Sequence, residues 1–264
     1  MSAALRLPLQ RQPRVGALAD VTETFVPASK GELERAALTR RFDRKFLLRT
    51  EHAEDVLAGL GDGYHVVLAG DERFALYDTV YFDTPSLRSY HDHRRGRRPR
   101  FKLRIRNYLD RDLSMLEYKE KTARGDTRKL RWERDDLSTE LNANDLAKLQ
   151  RAVPQLFSEG PLHAHARTVF YRLMLINTRT VERATLDFNL TFELGDASCT
   201  LGSVVVVEVK DGGRGTASPL VLALRQGHAR KGSFSKYCMA VALLGNERAN
   251  TFRPALRVIE GGLS

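Results

Sequence analysis

Phe101-Lys102-Leu103-Arg104-Ile105-Arg106 alternates apolar and basic residues without a break. Successive side chains of a β-strand point to opposite faces, so a strand here puts Phe101, Leu103 and Ile105 on one side and Lys102, Arg104 and Arg106 on the other. The period of 2 selects a strand over a helix. The same two-faced pattern recurs along the chain. Arg41, Asp43 and Lys45 oppose Phe42 and Phe46, and Glu117, Lys119 and Lys121 oppose Leu116 and Tyr118. Lys129, Arg131 and Glu133 oppose Leu130, and two later sets are Arg183-Thr185-Asp187 and Val206-Glu208-Lys210. Together the six polar sets hold eleven bases and five acids.

A solvent-facing sheet surface normally mixes both signs with Ser, Thr, Asn and Gln. Like charges opposite one another on neighbouring strands destabilise a sheet, so an excess of bases needs compensation. The amphipathic helices of the chain also need an apolar surface, which the opposite strand faces supply. Helices outside a closed sheet would turn the charged faces inward, and a charged lumen calls for water, counter-ions and a polyanionic ligand. The alternative is an open sheet whose polar face is wetted by bulk solvent.

Strands are expected near 40–49, 74–83, 100–109, 113–121, 127–136, 166–175, 181–193 and 203–210, and helices near 51–60, 86–94, 143–152, 217–229 and 235–245. Turns are expected at Gly125-Asp126 and Asp211-Gly212-Gly213. The resulting fold class is α+β: a mostly antiparallel closed β-barrel with a basic lumen and helices packed outside. Residues 1–38 show no sustained period and read as a flexible N-terminal arm, 39–248 as the tunnel domain, and 249–264 as a C-terminal tail.

With 42% hydrophobic residues among 264, the chain can bury an ordinary core. Its net charge of +10 points to phosphate-rich partners without choosing among them. Cys199 and Cys238 have no metal-type spacing, no apolar run reaches the ~20 residues of a membrane helix, and Met1 to Gln12 lack the apolar core of a secretory signal. These features read as a soluble, cytoplasmic protein. Nucleic acid is not the expected partner, since its binders display charge on outer grooves with aromatic stacking platforms.

Several features carry a plainer reading. His91 and His93 lie two apart in a helix and do not face one another, so they read as surface residues. The basic run Arg94 to Arg100 is either a solvated loop or the mouth of the lumen. Trp132 reads as core, and Tyr81 and Asp83 as structural. Gly212, Gly213 and Gly215 match neither a P-loop nor a dinucleotide fingerprint.

The ordered set Arg41-Phe-Asp-Arg-Lys-Phe46, Tyr81-Phe-Asp-Thr-Pro85, Lys102-Leu-Arg-Ile-Arg106, Glu117-Tyr-Lys119, Lys129-Leu-Arg131, Arg183-Ala-Thr-Leu-Asp187, Glu208-Val-Lys210 and Ser235-Lys-Tyr237 resembles the polyphosphate polymerase domain of the vacuolar transporter chaperone (VTC) family, in its bacterial stand-alone form. More widely it resembles the CYTH superfamily of triphosphate tunnel metalloenzymes. The resemblance implies a metal-dependent phosphotransferase acting on a nucleoside triphosphate and inorganic polyphosphate. It implies that Lys45, Lys102, Arg104, Arg106, Lys119, Lys129, Arg131, Arg172, Arg183 and Lys236 bind phosphate. Lys45, Arg104, Arg106 and Glu208 would be catalytic, with Glu208 holding Mn²⁺ or Mg²⁺. Triphosphatase members of CYTH open with Glu-x-Glu-x-Lys, whereas Arg41, Asp43 and Lys45 stand here, which favours the polymerase-like branch. The alternatives are a tunnel triphosphatase, with water as acceptor, and a non-catalytic polyphosphate-binding module. The resemblance leaves room for a membrane-bound partner protein and leaves the oligomeric state open.

Overall fold

The computed structural model describes residues 18–36, 42–212 and 218–261. In chain order the elements are α1 (Ala19–Glu23), α2 (Lys30–Arg35), β1 (Phe42–Arg49), α3 (Ala53–Ala58), β2 (Tyr64–Val66) and β3 (Phe74–Asp83). They continue with α4 (Arg88–Arg94), β4 (Arg100–Tyr108), β5 (Leu113–Lys121), β6 (Thr127–Arg134) and α5 (Ala143–Ala152). Next come β7 (His163–Asn177), β8 (Glu182–Leu194), β9 (Ala197–Leu201), β10 (Val204–Asp211) and α6 (Pro219–Gln226). The chain closes with β11 (Arg230–Lys231), α7 (Lys236–Leu244) and α8 (Arg253–Glu260). The eight expected strands and five expected helices are present. Arg41 and the Gly213 end of the expected turn lie outside the described residues.

One antiparallel sheet runs β11-β1-β10-β8-β7-β3-β4-β5-β6, with β2 added to β7 and β9 to β8. The expected closed barrel is not formed among the described residues: β11 and β6 are the two ends, and no ladder joins them. Closure would set β6, with Arg128, Lys129 and Arg131, against Arg230 and Lys231 of β11, a seam of like charges. The sheet nevertheless curls. Lys119 of β5 and Glu208 of β10, with four strands between them in the ladder, lie close enough for the carboxylate to act on the ammonium.

The convex side carries two apolar clusters. Phe46, Leu48, Leu173, Leu186, Val205 and Val207 pack against Val56 and Leu57 of α3 and Leu220 and Leu224 of α6. Phe101, Leu103, Ile105 and Leu116 pack against Leu149 of α5, and Trp132 joins them. The expectation that every helix packs outside fails for the last two. Tyr237, Met239 and Val241 of α7 and Ala255 and Ile259 of α8 share a buried cluster with Leu47, Tyr81, Phe170 and Val206, which point to the concave side. These two helices plug one end of the curl, because its concave face is apolar there.

That apolar end depends on a bulge. Pairing between β7 and β8 shifts between Val169 and Tyr171, opposite Asn189, whose φ is 48°. The extra residue switches the alternation, so Phe188 faces the convex cluster while Leu190 and Phe192 face the concave one.

Two expected boundaries are corrected. Residues 18–36 are not a flexible arm: Leu18 and Phe25 are buried in the convex cluster, Ala28 N donates to Val66 O at 2.7 Å, and Arg73 donates to Thr22 O and Phe25 O at 2.8 Å. Nor is 249–261 a tail, since Phe252, Ala255 and Ile259 put one stripe of α8 into the core. Among the described residues no helix is long and apolar enough to cross a membrane.

Candidate functional site

Where the concave face is not plugged, it encloses a cavity of about 400 Å³. Its wall draws on β1, β3, β4, β5, β6, β7 and β10, and on Ser233 to Lys236 leading into α7. Lys45, Lys102, Arg104, Arg106, Lys119, Lys129, Arg131, Arg172, Lys236 and Glu208 all line it, so nearly the whole expected phosphate set converges there. Arg183 does not line the cavity. Its guanidinium lies against Met174 Sδ, at 2.7 and 3.1 Å.

Strand register sorts the charges into rows. One row runs Arg104, Glu117, Arg131 across β4, β5 and β6, and alternates in sign. Arg104 Nε donates to Glu117 Oε2 at 2.6 Å, and Arg131 Nε lies 3.0 Å from Oε1. Burial tends to raise the Glu117 carboxyl, yet Arg104, Arg106 and Arg131 hold it at about 2. The next row is Lys102, Lys119, Lys129, all of one sign.

On the facing wall, β1 and β10 pair Lys45 with Glu208 and Asp43 with Lys210. Glu208 accepts from Lys45 Nζ and Lys210 Nζ, both at 2.8 Å. Burial opposes its ionisation, but the two ammonium groups hold it well below the usual carboxylate range. On the floor, Arg172 donates to Asp187 in a two-pronged contact of 2.6 and 2.9 Å, and Lys236 meets the same carboxylate. Arg172 lies 4.9 Å over the Tyr77 ring, and Lys236 sits 4.1 Å over Phe170. Ser235 caps α7 by accepting from Cys238 N, which aims the first turn, and so Lys236, at the cavity.

Three lining cations form no ion pair with a carboxylate among the described residues. Arg106 is buried, donates to Thr79 Oγ1 at 3.1 Å and lies 5.3 Å over Tyr77. Burial first, then Arg104, lowers its guanidinium. Lys102 donates to Ser235 Oγ at 2.5 Å, and burial lowers its ammonium. Lys119 stands at the mouth, where desolvation and then Lys102, Lys129 and Lys45 draw it down to about 8. Burial draws Lys236 to about 7 in spite of Asp187. A buried cation without a counter-charge is costly, and a ligand carrying several negative charges removes that cost.

Sequence reasoning missed four contributors. Tyr81 lines the cavity beside Arg104 and stacks on Tyr237, as its place on the Arg104 side of the ladder allows. Lys210, part of a polar strand set but not assigned to phosphate, lines it too, as does Ser235. His93, expected on the surface, reaches the cavity from α4, stacked on Phe252. Burial and then Lys102, Arg100 and Lys119 lower it to about 3, so its imidazole is neutral. No spacing rule signals a contact made across the fold. Conversely, Arg95, Arg97 and Arg98 of the basic run line a separate surface depression with Asp92 and Glu159, not the cavity mouth. Asp83 is structural as expected, accepting from Thr84 N, Ser89 N, Tyr90 N and Tyr237 Oη.

For a divalent metal, no group of three His, Cys, Asp or Glu converges among the described residues. Glu208, Glu117 and Asp187 are each clasped by cations. An ion held by protein ligands alone therefore does not fit. An ion arriving on phosphate oxygens fits, with Glu208 as its single protein carboxylate, because Mg²⁺ commonly takes one or two carboxylates plus phosphates and water.

Solved structures resemble the fold. A Bacillus halodurans protein described as a candidate adenylate cyclase is 14% identical, covering 73% of this chain and 92% of its own, with a TM-score of 0.46. A Hippeastrum protein described as having dominant triphosphatase activity is 16% identical, over 78% and 97%, with a TM-score of 0.46. A Pyrococcus horikoshii protein is 11% identical, over 76% and 98%, with a TM-score of 0.41. No curated protein sequence matches the chain. The sequence of residues 40–245, which contains every strand that lines the cavity, matches the VTC domain, and the chain belongs to that family.

Proposed function

We propose that this chain is a phosphotransferase that takes a nucleoside triphosphate and inorganic polyphosphate into the basic cavity and extends the polyphosphate. The observation that carries the reading is the row Lys102, Lys119, Lys129, with Arg106 beside it, in a cavity of about 400 Å³. Lys102, Lys119 and Arg106 form no ion pair with a carboxylate among the described residues, so a chain of phosphates is the counter-charge they require.

Phosphoryl transfer needs charge neutralisation and in-line positioning more than covalent chemistry by the protein. A terminal oxygen of the acceptor attacks the γ-phosphorus, the bond to the β,γ-bridging oxygen breaks, and the nucleoside diphosphate leaves. Arg104, Arg106 and Arg172 present forked donors to non-bridging oxygens, while Lys45, Lys102 and Lys236 act as point charges. Lys45 and Lys210 can turn from Glu208 to the incoming phosphates, freeing Glu208 to hold Mn²⁺ or Mg²⁺. Bound there, the ion would neutralise charge between phosphate groups. No side-chain nucleophile is required.

Incubation with ATP, Mn²⁺ and a short polyphosphate primer tests the reading. Growth of the primer with ADP release is expected. Phosphate release without growth would make the chain a triphosphatase, and binding without turnover would make it a polyphosphate-binding module.

A further inference from the structure

A cavity of about 400 Å³ holds only a short run of phosphates, so a long polymer extended there must leave it. One of its lining residues, Ser233, also borders a second space of about 770 Å³, where β11, the end of β1 and α8 meet. Arg49, Arg230, Lys231 and Arg257 line this second space, and no carboxylate among the described residues does. Arg49 is engaged: Nη1 donates to Gly261 O at 2.9 Å, which ties the end of α8 to β1, and Glu51 lies 3.6 Å from Nε. Arg230, Lys231 and Arg257 form no ion pair among the described residues, and all three are exposed.

Ladder geometry puts cations of both spaces on one face of the sheet. Lys45, which lines the phosphate cavity, and Leu47 are two apart on β1, so they share a face at a separation of ~6.6 Å. Leu47 pairs directly with Arg230 of β11, whose side chain therefore stands on the Lys45 side. Where the two spaces meet, Gly232 N donates to Lys45 O at 3.1 Å, which holds the segment leading to Ser235 against the strand. Gly232 and Ser233 are exposed, and the space that a side chain on Gly232 would fill is open. The rim between the spaces is therefore low. Arg257 stands on α8, beyond the family-matched residues 40–245, so this second space is an addition to the matched domain.

We infer that the second space is the outlet of the phosphate cavity: a polyphosphate chain held at one end by the cavity cations passes over Gly232 and Ser233, and its following phosphates lie against Arg230, Lys231 and Arg257. The inference rests on the reading of the phosphate cavity and adds where the polymer goes. Polyphosphate repeats its negative charge at every unit, so a path of cations without carboxylates favours it along its length, with release of its counter-ions. Each transfer adds a phosphoryl group at the chain end inside the cavity, so the older units are the ones that move outward over the rim. Tripolyphosphate, confined to the cavity, does not reach Arg230 or Arg257.

Calorimetric titration with tripolyphosphate and with a polyphosphate of several tens of units tests it, on the full chain and on three variants. Arg230→Glu/Arg257→Glu alters the outlet, Arg95→Glu/Arg98→Glu makes the same change of charge in the depression beside α4, and Arg106→Ala alters the cavity. The long polymer is expected to bind the unaltered chain at least tenfold more tightly than tripolyphosphate. In the outlet variant it should weaken at least tenfold, with a shallower salt dependence, while tripolyphosphate stays within threefold. Arg95→Glu/Arg98→Glu should leave both ligands within threefold, and Arg106→Ala should weaken both. Should the outlet variant fail to fold, Arg257→Gln carries the same test, with a threefold or greater loss of the long polymer alone. A long polymer that binds no tighter than tripolyphosphate, or that binds the outlet variant normally, overturns the inference. So does an equal loss in Arg95→Glu/Arg98→Glu, or an equal loss of both ligands at the outlet. Were Arg106→Ala to weaken neither ligand, the reading of the phosphate cavity would fall, and the outlet with it, even if the polymer still needed Arg230 and Arg257.

Discussion

Lys102 on β4 stands directly opposite Lys119 on β5, and Lys129 on β6 extends the same row. Like-charged cross-strand partners destabilise a sheet, and neither Lys102 nor Lys119 meets a carboxylate among the described residues. A polyanion entering the cavity would relieve that strain.

Tripolyphosphate should therefore raise the melting temperature at sub-millimolar concentration, because a ligand that binds only the native state stabilises it by mass action. Sulfate at the same ionic strength should do much less, since it cannot span β4, β5 and β1 together. Duplex DNA is too wide for the cavity and should give little shift. A thermal-shift series settles the order, and DNA stabilising more than tripolyphosphate would sink the cavity reading.

Arg106→Ala should weaken tripolyphosphate binding by ~1.5–3 kcal/mol, the range of a hydrogen bond to a charged group. The residue is 6% exposed and forms no ion pair with a carboxylate among the described residues. Arg95→Ala should change affinity little at physiological salt, because that side chain lies outside the cavity and exposed charges are screened over ~8 Å. Equal losses at both positions in calorimetry would mean a diffuse basic patch.

Glu208→Gln keeps the shape of the carboxylate but loses its charge. Metal-dependent turnover should fall at least a hundredfold, while tripolyphosphate still binds, since Lys45 and Lys210 are then released from Glu208. Near-normal turnover of the folded variant at limiting Mn²⁺ would remove Glu208 from metal binding.

The free protein should lose affinity for tripolyphosphate as pH rises through about 7 to 9, where Lys236 and Lys119 shed protons. Lys119→Arg, whose guanidinium stays charged, should flatten part of that loss. Folding stability should move the other way. Over the interval between the lowered folded values and the ordinary lysine value, the unfolded chain holds more protons, so the empty protein gains stability with pH. Binding isotherms and urea melts across this range read the two opposing slopes.

Ile259→Ala should destabilise the fold by about 2–5 kcal/mol, as expected for a large-to-small change in a core. Ile259 is fully buried beside Phe252 and Ala255. A change below 0.5 kcal/mol in denaturant melts would return residues 249–261 to the status of a tail.

Much of this arrangement was legible in the residues. Alternation fixed the eight principal strands, because a two-residue period survives wherever one face is buried and the other polar. Lys102, Arg104, Arg106, Lys119 and Lys129 could be assigned to one face for the same reason. Residues 18–36 and α8 escaped notice because they are short. Yet Phe252, Ala255, Leu256 and Ile259, with Pro254 in the first turn, carry the spacing of a helix stripe.

By itself, then, the sequence determined the strands, their two faces and the excess of positive charge on one of them. Tertiary structure decided where alternation stops holding and which charges meet. Leu186, Phe188, Leu190 and Phe192 share one parity, yet the bulge at Asn189 sends the first two to the convex core and the last two under α7. That switch gives the concave side an apolar end, and the end draws α7 and α8 inside the curl. Register then set Lys102 beside Lys119, and curvature brought Glu208 near enough to act on Lys119. Periodicity along a strand carries no information on pairing partners, which depend on contacts between residues far apart in the chain.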